Sequence, residues 1–130
     1  MILVDTSAWI DFLRGTESPT HHRVRQLLGT NEPLATTEVV IMEVLAGARD
    51  EAHLQQLRRL LMRCELLPLH GLADYEAAAS LYRACRRHGE TIRRLVDCLI
   101  AVPALRAEAA VLHEDRDFDA IARHSALRIA

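Results

Sequence analysis

The 130-residue chain predicts an α/β fold: a central, mainly parallel sheet with helices on both faces. Three observations carry that expectation. Short, wholly apolar runs such as Ile2-Leu3-Val4 and Ala110-Val111-Leu112 suit strands covered on both sides. Longer segments with helical spacing separate them, the alternation of a parallel α/β sheet. Half of the residues are apolar and 26% are charged, the composition of a globular domain with a core of its own. The length fits one domain over residues 1–130.

Taken in order, residues 2–4 form the first strand. Asp5-Thr6-Ser7 then supplies N-cap chemistry for a helix to Leu13, stopped at Gly15. Ser18-Pro19 opens a second helix with Val24, Leu27 and Leu28 on one face, ended near Gly29. His21-His22 has no second ligand pair at helical spacing and reads as surface. Residues 33–36 read as a strand, and Thr37 caps a helix that Gly47 ends. Residues 50–62 carry Leu54, Leu57, Leu60 and Leu61 at helical spacing, and 66–69 are a strand or its approach. An alanine-rich helix spans 72–87, and an apolar one spans 95–108, where Pro103 predicts a break or kink. A strand at 110–112, a short helix at 118–123 and a last strand at 127–129 complete the chain.

Charge and residue usage exclude several functions. The net charge is −2, so no global basic field advertises nucleic acid. All sixteen basic side chains are arginine. Without lysine there is no P-loop phosphate cradle and no Schiff-base chemistry. Aspartyl-phosphate phosphatase chemistry is disfavoured too, because Asp5-Thr6-Ser7 lacks the second aspartate that it wants. Cys64, Cys85 and Cys98 are too widely spaced for a zinc or redox pair and read as buried free thiols, which suits a reducing, cytoplasmic setting. The N-terminus lacks signal-peptide character, and no apolar run of membrane-spanning length occurs.

The acidic residues are more informative. Asp5 directly follows the first strand, and Asp115 and Asp117 follow the strand at 110–112. Glu43 and Asp97 lie inside apolar helical segments. Taken singly, Asp5 reads as a helix cap, Glu43 as an exposed position on its stripe, and Asp115 and Asp117 as turn residues. Taken together, strand ends in an open parallel sheet gather at one edge, and helices starting there bring Glu43 and Asp97 toward the same place. Converging carboxylates raise one another's pKa unless a cation intervenes. An oxygen-only donor set selects a hard ion, Mg²⁺ or Mn²⁺, whose chemistry suits phosphodiester cleavage.

At these residues the sequence resembles a PIN-domain ribonuclease, specifically a VapC-type toxin of a type II toxin–antitoxin pair. The likeness rests on Ile2-Leu3-Val4-Asp5-Thr6-Ser7 at the start, on residues 37–47 around Glu43, on Asp97-Cys98-Leu99-Ile100-Ala101, and on Asp115-Arg116-Asp117-Phe118. It implies a three-layer α/β/α PIN-like domain and a Mg²⁺-dependent endoribonuclease in which Mn²⁺ can substitute. Asp5, Glu43, Asp97 and Asp115 would be the acidic quartet, Asp117 an additional ligand, and Thr6 or Ser7 supporting residues. A cognate antitoxin would neutralise the activity, within a homodimer or a toxin–antitoxin hetero-oligomer. His113-Glu114 departs from the small hydroxyl residue expected there. RNA also needs positive charge near an acidic pocket, and Arg86, Arg87, Arg93, Arg94 and Arg116 are the candidates to contact phosphate. The competing reading is a non-catalytic PIN-like module that binds RNA or protein, and it expects an acid of the quartet to be missing or tied up by arginine.

Overall fold

The computed structural model describes residues 1–130. Its elements in chain order are β1 (Ile2–Val4), α1 (Thr6–Leu13), α2 (Pro19–Leu28), β2 (Leu34–Thr36), α3 (Glu38–Ala46), α4 (Glu51–Leu61), β3 (Glu65–Leu66), α5 (Leu72–Arg87), α6 (Leu95–Ala107), β4 (Ala110–Leu112) and α7 (Arg116–Arg123). The strands form one wholly parallel sheet in the order β3-β2-β1-β4. Ile2 sits opposite Leu34 on one side and Ala110 on the other.

Successive residues of a strand face opposite sides of the sheet. Every residue of β1 and β2 is nevertheless buried, so both faces are covered. One group of helices joins α1 to α2 and α3, and α3 to α4, while α5, α6 and α7 pack on one another. Trp9, Phe118, Leu3, Ile100 and Ile121 are among the largest fully buried side chains between these layers. The caps act as their residue types dictate. Asp5, Ser18, Thr37, Asp50 and Asp115 each accept a backbone N–H at the start of their helix.

Four local expectations change. The last strand shrinks to a single bridge between Val111 and Ile129, and Ile129 stays exposed, so no covered face holds a longer pairing there. The third strand is the pair Glu65–Leu66, with Leu67 donating its N–H to the Thr36 carbonyl just beyond it. Helix α6 runs unbroken through Pro103, whose ring is buried in an apolar helix. Packing offsets part of the cost of the lost backbone donor. His21 is buried, not on the surface, because its position leads the inward stripe that continues with Val24 and Leu27 on α2. Its ring stands edge-on to Phe12, with centroids 5.6 Å apart, and the Arg25 guanidinium lies 2.8 Å from Nε2. Cys85 and Cys98 are buried and Cys64 is half-buried, all as free thiols. Burial pushes the Cys98 thiol up to about 12, which leaves it unreactive.

The topology also places a crevice. From β1 the chain proceeds through β2 to β3 on one side, then returns to β4 on the other side of β1. The direction of winding therefore reverses between β1 and β4, where ligands bind in open parallel sheets. Asp5 and Asp115 are the residues that follow these strands toward that point, and the Asp5 N–H donates to the Leu112 carbonyl at 3.0 Å.

Candidate active site

Four segments converge beside the crevice. Asp5 caps α1 after β1, and Asp115 caps α7 after β4. Asp97 occupies the first turn of α6, and Glu43 lies in the second turn of α3. Oxygens of Asp97, Asp115 and Asp117 lie within 4.8 Å of one another. Asp5 and Glu43 stand outside that set, and Glu43 Oε1 accepts the Thr6 hydroxyl at 2.8 Å. Its other oxygen, Oε2, bonds the Arg94 guanidinium, which also stands 4.0 Å from Asp97 Oδ1 and 4.0 Å from Asp115 Oδ2.

Small polar groups fix the acids. Asp5 Oδ2 accepts the Ser7 N–H at 3.0 Å and the Ser7 hydroxyl at 2.6 Å. The same hydroxyl oxygen accepts the Glu114 N–H at 2.9 Å, so a relay from the β4–α7 loop through Ser7 holds Asp5. Asp115 Oδ1 accepts the Asp117 N–H at 3.0 Å. Both Asp117 oxygens accept backbone N–H groups, from Arg93 at 3.1 Å and Arg94 at 2.9 Å. Asp117 therefore anchors the segment that leads into α6 as well as lying among the acids.

What remains unpaired points to a cation. Asp5 Oδ1 and both oxygens of Asp97 are closed off from solvent and have no hydrogen-bond partner. Asp5 and Asp97 are fully buried. Ionised carboxylates in that state are costly without a counter-charge. Burial first, then the neighbouring Asp115 and Asp5, push the Asp97 carboxyl up to about 9 against the opposing pull of Arg94. Burial also raises Asp5, although hydrogen bonds from Ser7 oppose it. For Asp115 burial is outweighed, and the Asp117 N–H, the neighbouring Asp97 carboxyl, and Arg93 and Arg94 hold it below the usual carboxylate range. The two neighbouring carboxyls are thus pushed apart, Asp97 upward and Asp115 downward. An all-oxygen donor set with unpartnered buried oxygens fits a hard divalent cation.

The predicted arginines divide. Arg93 and Arg94 enter the site: Arg93 reaches Asp115 at 3.4 Å and Asp117 at 3.8 Å. Arg86 lies over the Tyr82 ring, and Arg87 lines a groove between α5 and α6. Arg116 is exposed and lines a cleft of about 290 Å³ with Arg93, Arg123 and Asp117. The departure at His113-Glu114 also has a structure. His113 Nδ1 accepts the Asp115 N–H at 3.0 Å and Nε2 faces Asp119 at 3.1 Å, so the ring ties the turn after β4 to α7. Glu114 accepts a hydrogen bond from Thr20 on α2. Sequence reasoning gave Arg94 to phosphate and missed its hold on the acids; the available signal was its place three residues before Asp97, one helical turn away.

A parallel sheet whose switch point gathers acids from four segments defines a class, and comparison agrees with it. The PIN domain model matches residues 2–124. The chain belongs to the PIN-domain family, and within it to the VapC ribonucleases. Ribonuclease VapC11 of Mycobacterium tuberculosis is 44% identical over 131 residues, covering 100% of this chain and 98% of that protein. VapC ribonuclease Mb1587 of Mycobacterium bovis matches equally, at 44%. Among solved structures, VapBC2 from Rickettsia felis, bound to a DNA fragment from its promoter, shares the fold with a TM-score of 0.75 at 20% identity, covering 100% of this chain and 98% of that one. No helix is long and apolar enough to cross a membrane.

Proposed function

We propose that this chain, as one PIN domain over residues 1–130, is a metal-dependent endoribonuclease of the toxin kind, with Mg²⁺ as its ion and Mn²⁺ able to substitute. The observation that carries the reading is the set of buried, unpartnered oxygens on Asp5 and Asp97, beside Glu43 and Asp115. A bound dication supplies positive charge that acidifies a water and offsets the charge developing on a phosphodiester. The chain's own residues do the rest. Asp5, Glu43, Asp97 and Asp115 hold the ion, Ser7 orients Asp5, and Thr6 orients Glu43. Asp117 fixes the α6 entry and stands close enough to add an oxygen. Arg116, exposed at the neighbouring cleft, is placed for backbone phosphate.

The 44% identity to named VapC ribonucleases supports RNA as the substrate. The structural neighbours are toxins in complex with their antitoxins, which supports a cognate antitoxin as partner and a hetero-oligomer as the inhibited state, in the cytoplasm where the RNA is. Cleavage-site mapping on total RNA tests the activity. The chain should cut with Mg²⁺ and stop with a chelator. Asp97→Asn and Asp5→Asn should each lose more than the roughly 10–100-fold that a lost supporting contact costs, with circular dichroism unchanged. Full activity in both variants would reject the assignment. One observation favours the non-catalytic reading: Glu43 is engaged by Arg94. Mg²⁺-dependent cutting by the unmodified chain excludes that reading.

A further inference from the structure

The Arg94 side chain is the feature that the proposed activity does not absorb. Its guanidinium is the only one that reaches three of the four acids, bonding Glu43 and standing 4.0 Å from both Asp97 and Asp115. It does not satisfy the site, because Asp5 Oδ1 and both Asp97 oxygens stay unpartnered beneath it. Arg94 therefore closes the mouth of the cluster and leaves its floor open.

The attachment of Arg94 is divided in a way that matters. The backbone N–H is fixed by Asp117 Oδ2 at 2.9 Å. The side chain makes no capping bond to α6 and is 43% exposed, so it can swing out without disturbing the helix. Leaving would free one oxygen, Glu43 Oε2, while Oε1 keeps its hydrogen bond from Thr6. The expelled group is a planar fork whose shape suits a phosphate.

We propose that Arg94 is a counter-cation in cis: it occupies the mouth of the acidic site when no metal is bound, and metal loading expels it. The inference rests on the metal-dependent reading above. Two positive charges competing for the same carboxylates oppose each other's binding, and the coupling is reciprocal. Removing the guanidinium should therefore tighten metal binding. A purely structural role predicts the opposite sign, since a disordered site binds metal less well.

Titration calorimetry with Mn²⁺ alone, on the full chain, reads this directly. Arg94→Gln should bind Mn²⁺ about fivefold to 100-fold more tightly than the unmodified chain, the usual range for coupled sites. Arg94→Lys keeps the charge but loses the fork and should fall between them. Arg93→Gln is the control for general charge removal, because Arg93 reaches Asp115 and Asp117 but makes no contact with Glu43. Its gain should be smaller. Equal or weaker binding in Arg94→Gln overturns the proposal, and so does an equal gain in Arg93→Gln. Absence of Mn²⁺ binding in every chain, with all folded by circular dichroism, overturns the metal reading itself. Binding by the unmodified chain that Asp97→Asn abolishes keeps that reading whatever Arg94 does.

Discussion

Asp97 carries its carboxyl on the first turn of α6 with neither oxygen bonded and no solvent contact. Burial and the adjacent Asp115 keep it protonated up to about 9, whereas its ordinary value is 3.8. Between those two values the folded chain holds a proton that the unfolded chain has released. This group's contribution to metal-free stability is therefore fully present below 3.8 and is lost as pH rises toward about 9, with a slope of up to about 1.4 kcal/mol per pH unit. Asn mimics the protonated acid and does not titrate. The stability difference between the unmodified chain and Asp97→Asn, from urea unfolding without metal at pH 5 to 8, should shift in favour of the variant as pH rises. Metal binding must release the same proton, so Mn²⁺ affinity should climb by about tenfold per pH unit in that window. Ser7 works through Asp5 in a simpler way. Its hydroxyl gives a hydrogen bond to Asp5 and takes one from the Glu114 N–H. Ser7→Ala leaves the Glu114 N–H without its acceptor and Asp5 Oδ2 with only the residue-7 N–H, and should cost about 1–3 kcal/mol in urea unfolding. It should also weaken Mn²⁺ binding while leaving Asp97 in place.

The elements show which parts of this arrangement a sequence can disclose. Ile2-Leu3-Val4 and Ala110-Val111-Leu112 announce themselves as strands because all three residues of each are apolar, and only a doubly covered strand needs that. Asp5 and Asp115 follow them, so their arrival at one sheet edge is legible once the strands are read as parallel neighbours. Glu43 and Asp97 are legible for a different reason: a carboxylate among apolar helical residues has to be accounted for. The rest depends on contacts between distant positions. His21 looks like half of a surface pair until α2 docks on α1 and turns it toward Phe12. Ile129 sits in an apolar stretch that reads as a strand, but it bridges only Val111 and stays exposed. Pro103 reads as a helix breaker because local rules omit the packing around it. That packing makes a prediction for α6. Pro103→Ala restores a backbone donor, and an interior proline costs about 3 kcal/mol in helix propensity. The same change removes two buried ring carbons, a loss of about 1.6 kcal/mol. The net gain should be about 1 kcal/mol, read as a higher midpoint in thermal unfolding, and a lower midpoint would show that the ring contributes more than a lost helix bond.

Across the whole molecule, the acids come from positions 5, 43, 97 and 115, two of them capping α1 and α7 and two inside α3 and α6, in segments spread along nearly the full chain. Asp5 and Asp115 flank the junction of β1 and β4, while Glu43 and Asp97 belong to the two helical groups on the sheet. An ion held by all four would tie both helical groups to the sheet edge. The unfolded chain offers no such assembled site, so binding favours the folded state alone. Linkage then sets the size of the effect: free ion at 100 times its dissociation constant adds about 2.7 kcal/mol. For a domain of this length that is a rise on the order of 10 °C in the unfolding midpoint. Heating the chain with saturating Mn²⁺, and again after adding a chelator, should show the rise and its complete reversal. Asp97→Asn should show neither. Arg94→Gln should start from a lower midpoint without metal, because Glu43 Oε2 has lost its partner, and should gain more on saturation at equal Mn²⁺ concentration. If the unmodified chain gave the same midpoint with and without the ion, while calorimetry showed that ion bound, then the bound ion would sit somewhere other than between these four segments.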